Sequence, residues 1–96
     1  EMARKRGKHT SVRGVFQRSV VWLENLDGIR KVILGPHDPC HNSTAPGTLV
    51  VTGDTPTGLR LRGYTDGGIM DIFLILELPS HRDRIRQAIK KRFPLT

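Results

Sequence analysis

Between Thr48 and Leu78 three apolar runs follow one another with only short breaks, and this stretch limits the possible folds more than any other. Thr48-Leu49-Val50-Val51-Thr52 is rich in β-branched residues, Leu59-Arg60-Leu61-Arg62 alternates strictly, and Ile69 to Leu78 is apolar nearly throughout. The breaks, Gly53-Asp54-Thr55-Pro56-Thr57-Gly58 and Asp66-Gly67-Gly68, are built from turn residues. Connections this short reach only an antiparallel neighbour, because a parallel strand needs a crossover of about a dozen residues or more. Leu59 and Leu61 then face a core, while Arg60 and Arg62 share the solvent side. The last strand carries apolar residues at odd and even positions alike, which reads as a central strand covered on both faces. Its exceptions, Asp71 and Glu77, fall on one face by their even spacing and suit a register or edge role.

Upstream, Ile29 to Leu34 is a further β-branched strand, followed by a loop from Gly35 to Gly47 with Pro36, Pro39 and Pro46. Loops of that length in a compact domain are commonly functional or disordered. Val12, Val15, Phe16, Val20, Trp22, Leu23 and Leu26 recur at three-and-four spacing, predicting an amphipathic helix over 12–26. Thr10 or Ser11 caps it, and Asp27-Gly28 ends it with Gly28 in a left-handed conformation. Trp22 lies on the apolar face and belongs to the core rather than to a stacking platform. After Pro79, Ser80 and Asp83 form a capping-box-like start to a last helix. That helix has a buried stripe of Ile85, Ala88, Ile89 and Phe93, and Pro94 stops it. The order helix, four strands, helix predicts an α+β two-layer sandwich: a four-stranded, mainly antiparallel sheet with two helices on one face. Residues 11–94 form its single domain, and residues 1–10 form a flexible basic arm.

Charge is distributed unevenly. The net charge is +7, and eleven of the sixteen basic residues lie in residues 1–13 and 82–92. The span between is slightly negative. Positive charge gathered at two ends is a footprint for a polyanion, and equally the mark of a solvated helix face. No run approaches the ~20 apolar residues of a membrane span. The single cysteine excludes an internal disulfide and fits a reducing compartment. With a charged start lacking an apolar signal region, the expectation is a cytoplasmic protein.

Donor chemistry concentrates at Gly35-Pro36-His37-Asp38-Pro39-Cys40-His41, where His37, Cys40 and His41 make a His-x2-Cys-His cluster and Asp38 offers an oxygen. Imidazole nitrogen and thiolate sulfur suit zinc or a similar divalent transition metal. A structural zinc site needs four ligands, so His9 or His81 would have to complete the set.

Gly7-Lys8-His9-Thr10-Ser11-Val12-Arg13-Gly14, Gly28-Ile29-Arg30-Lys31-Val32-Ile33, Gly58-Leu59-Arg60-Leu61-Arg62 and the strand Ile69 to Leu76 together resemble a family of small prokaryotic proteins. That family is described as predicted metal-binding proteins of unknown function. The resemblance runs over nearly the whole chain from about Lys8, and its motifs are glycines and short apolar runs. It implies metal binding, and through Lys8-His9 it raises His9 as a ligand.

The residues therefore predict a non-enzymatic domain that binds zinc or a similar ion through His37, Cys40 and His41, with His9 as a fourth ligand. The alternative is a basic nucleic-acid-binding module that meets phosphates through Arg4, Lys5, Arg6 and Lys8 of the arm and Arg84, Arg86, Lys90 and Lys91 of the last helix, with Arg60 and Arg62 extending the stripe. Tyr64 is its one ring expected at the surface. Catalysis has the weakest basis: Cys40 beside His37 and His41 lacks a third orienting group. The glycine pair Gly53 and Gly58 has phosphate-loop spacing, but Leu59-Arg60 stands where Lys-Ser/Thr is required.

Overall fold

In the computed structural model the described residues are 14–95. Helix α1 covers 14–24. Strands β1 (Ile29–Pro39), β2 (Leu49–Thr55), β3 (Gly58–Thr65) and β4 (Gly68–Leu76) follow, then a single 3-10 turn (Pro79–His81) and helix α2 (Arg82–Arg92). The sheet is wholly antiparallel, in the order β1-β4-β3-β2. The α+β two-layer arrangement read from the sequence is the observed one.

Alternation in the two central strands divides the sheet into a covered and an uncovered face. Leu59 and Leu61 on β3 stand in register with Leu74 and Ile72 on β4, and all four are fully buried. They pack with Phe16, Val20 and Leu23 of α1 and Ile85 and Ile89 of α2 in one hydrophobic cluster. Both helices therefore lie on the same side. Each fully buried aliphatic side chain contributes roughly 1.5–3 kcal/mol relative to an exposed one, so this layer holds the fold together. Gly63 makes the close fit possible: a Cβ there would lie 2.6 Å from Phe16 and 2.9 Å from Ile72. At the far end of the helices Trp22 meets Phe93 edge-on, with ring centroids 5.8 Å apart, and the Arg92 guanidinium sits 4.9 Å from the Trp22 ring. Trp22 is thus a packing residue, as expected.

The turns are tighter than the sequence suggested. Pro56-Thr57 alone joins β2 to β3, and Asp66-Gly67 alone joins β3 to β4, so both hairpins have two-residue connections. By contrast, β1 and β2 occupy opposite edges, and their connection must cross three inter-strand spacings, about 14 Å. Residues 40–48 make that crossing, which accounts for much of the long loop read at Gly35 to Gly47. Its end is fastened to α1. The Ser19 hydroxyl, buried, donates to the Gly47 carbonyl at 2.6 Å, and Gly47 adopts a left-handed φ of 93° against Val15. Ser19→Ala leaves that carbonyl without its donor and is expected to lower stability by about 1–3 kcal/mol, measured by urea denaturation.

Three boundaries differ from expectation. The loop assigned from Gly35 is strand as far as Pro39, because β1 is an edge strand where prolines are tolerated, a register shift between Leu34 and His37 absorbs Pro36, and Pro39 falls at the strand's end opposite Gly68. Helix α2 begins from a 3-10 turn with no side-chain cap, so the Ser80–Asp83 box does not form. Asp83 instead lies 3.3 Å from Arg86. Gly28 has the expected positive φ (97°), but in the turn after α1 rather than at the helix end.

Candidate nucleic-acid interface

The extension of β1 also decides where the expected metal ligands stand. His37 and Asp38 are successive strand residues and so point to opposite faces. Extended backbone carries residues three apart roughly 10 Å along the chain, whereas chelation by a His-x2-Cys pair needs a turn that folds back. The His37 Nε2 is 3.2 Å from the Thr65 hydroxyl. Cys40 donates its backbone N–H to Gly67, and its thiol is exposed, as is His41. Among the described residues no three His, Cys, Asp or Glu side chains converge where they could hold an ion. His9, the fourth expected ligand, lies outside the described residues.

The basic positions expected on α2 divide into two kinds. Arg84 Nη1 donates to the Asp27 carbonyl at 3.0 Å and lies 3.5 Å from its carboxylate. Arg86 is paired with Asp54 and Asp83. Arg82, half-buried, donates to the carbonyls of Gly58 (3.1 Å) and Thr55 (2.7 Å), clamping the start of α2 onto the β2–β3 hairpin. These arginines mainly join α2 to the neighbouring turns, and exposed pairs of this kind contribute at most about 1 kcal/mol each. Lys90 and Lys91 remain exposed on the helix. Arg4, Lys5, Arg6 and Lys8 lie outside the described residues.

The surface that the sequence reading missed is the uncovered face of the sheet. With both helices on one side, no element among the described residues lies over β4's odd-numbered residues. One row across the strands runs Ile33, Phe73, Arg60, and the next places Asp71 beside Arg62. Beyond these, Tyr64 stands next to Ile69, and Lys31 next to Ile75. Phe73 and Tyr64 are half-buried, Arg60, Arg62 and Lys31 are exposed, and Ile33 is 39% exposed. Gly35, at the β1 irregularity, gives Phe73 room: a Cβ there would be 2.9 Å from Phe73 Cε2. The ring leans over the edge strand rather than standing clear of it. Two rings on the two central strands, with cations beside them, form a flat amphipathic surface of the type on which unpaired bases stack. Arg60, Arg62 and Tyr64 were legible as surface residues. Phe73 was not, because an apolar strand gives no sign of which face goes uncovered.

Among the described residues no helix is long and apolar enough to cross a membrane. Compared with known proteins, the chain matches no family model, no curated protein and no solved structure. The resemblance to the predicted metal-binding family therefore gains no support from relatives, and the functional reading rests on the chain's own surface.

Proposed function

We propose that this protein binds single-stranded nucleic acid on the uncovered face of its sheet. What carries the reading is the row Ile33, Phe73, Arg60 with Tyr64 and Arg62 beside it: stacking surface and phosphate ligands on adjacent strands. Base–aromatic stacking is worth about 1–3 kcal/mol per base and tolerates any sequence, because every base has a π-face. Arg60, Arg62 and Lys31 supply charge for the backbone between stacked bases. A duplex fits this surface poorly, since its base faces are already stacked and a four-stranded sheet is too broad for a groove. The net charge of +7, with Lys90, Lys91 and the basic arm, draws the polyanion in from a distance. A cytoplasmic setting belongs to the same reading, because an exposed lone thiol stays reduced there.

Fluorescence anisotropy of a labelled single-stranded oligonucleotide, titrated at several salt concentrations, tests it. Three phosphate contacts predict a slope of log affinity against log salt of about −2, and Arg60→Ala together with Arg62→Ala should reduce it to roughly −0.7. A slope that the double substitution leaves unchanged would place the contact elsewhere on the molecule.

A further inference from the structure

The uncovered face holds one residue that a phosphate-binding surface alone does not explain. Asp71 stands in the middle of β4, half-buried, between Ile69 and Phe73 and directly across from Arg62. It is the one acidic residue in β3 and β4. Among the described residues no salt bridge or side-chain hydrogen bond involves it, although an arginine is its cross-strand neighbour. Gly35 lets β1 pass close beside it: a Cβ there would lie 3.1 Å from Asp71's own. A carboxylate repels phosphate, so its place on such a surface favours contact with base edges rather than with the backbone.

Resting on the proposed binding of single-stranded nucleic acid, we infer that Asp71 makes the site prefer guanine. A carboxylate only accepts hydrogen bonds, and its two oxygens suit two adjacent donors. On the Watson–Crick edge, guanine alone among the four bases presents two, N1–H and the exocyclic N2 amino group. Adenine sets an acceptor beside its amino group, cytosine offers one amino group next to an acceptor, and uracil one N–H between two carbonyls. A base stacked on Phe73 brings that edge toward the next outward-facing position along the strand, two residues away, which is Asp71.

The test uses three labelled ten-nucleotide strands: uridine throughout, the same with one central guanosine, and the same with inosine, which keeps N1–H but lacks the amino group. A deoxy set run in parallel shows whether the sugar matters. Wild type is expected to bind the guanosine strand about tenfold more tightly than the uridine strand, with inosine between them. Asp71→Asn, which sets a donor where one oxygen stood, is expected to bind all three alike. Measurable uridine binding with no guanosine preference would overturn the inference and leave the proposed function standing. Failure of all three strands to bind would overturn both. A guanosine preference that survives Asp71→Asn would assign the reading to another residue.

Discussion

Phe73→Ala is expected to weaken binding of a single-stranded oligonucleotide by about tenfold to a hundredfold, the equivalent of one lost base stack at roughly 1–3 kcal/mol. The ring lies across the row from Ile33 to Arg60, so its removal leaves the cations in place and takes away the flat surface between them. Affinity should therefore fall while the salt slope stays near its wild-type value, the opposite of what the arginine substitutions do. Anisotropy titrations at two salt concentrations separate the two effects. Phe73 is outside the buried cluster, so the variant should remain folded. If the uncovered face instead mates with a second copy of the chain, sedimentation velocity will show a dimer in wild type that Phe73→Ala dissociates.

One residue further on, the expectation is reversed. Leu74 points to the helices, is fully buried, and stands in register with Leu59 on β3 and Val32 on β1. Leu74→Ala removes its burial and leaves a cavity under two helices that cannot readily collapse onto it, for a loss of about 2–5 kcal/mol. In a domain of this size total stability is on the order of 5 kcal/mol or a little more, so most of the margin disappears. At about 4–8 °C per kcal/mol, the thermal midpoint followed by circular dichroism should drop by roughly 10 °C or more. Adjacent substitutions with opposite consequences, one on binding and one on stability, follow directly from strand alternation. Equal destabilisation by the two would mean that both faces of the sheet are covered.

The contrast between these neighbours also shows what the sequence could and could not reveal. Element order and antiparallel pairing of β2, β3 and β4 were legible because two short turns leave the chain no other choice. The place of β1 was not. Its partner, β4, is remote in sequence, and only packing decides which free edge takes it. Strand alternation in β3 announced its two faces through Leu59-Arg60-Leu61-Arg62, while β4, apolar on both, looked covered on both. Two helices were counted correctly, and both sit over Leu61 and Leu74's side; Ile69, Phe73 and Ile75, on the other face of β4, are half-buried. The His37, Cys40 and His41 cluster is not gathered into one site among the described residues, for a related reason. Prolines that signal a loop also sit well in an edge strand, so His37 lies in β1 while Cys40 and His41 follow its end instead of folding back on it. Likewise Arg84 and Arg86 read as free charge on a helix face, yet they find carboxylate partners far away in sequence, Asp27 in the turn after α1 and Asp54 near the end of β2.

The most direct test of the proposed site is amide chemical-shift mapping of ¹⁵N-labelled protein as an unlabelled single strand is added. The account predicts that the largest shifts cluster in β3 and β4, at Arg60, Arg62, Tyr64, Asp71 and Phe73, with the adjoining part of β1. Shifts confined to α2 and the chain ends, with the sheet unmoved at saturation, would contradict it.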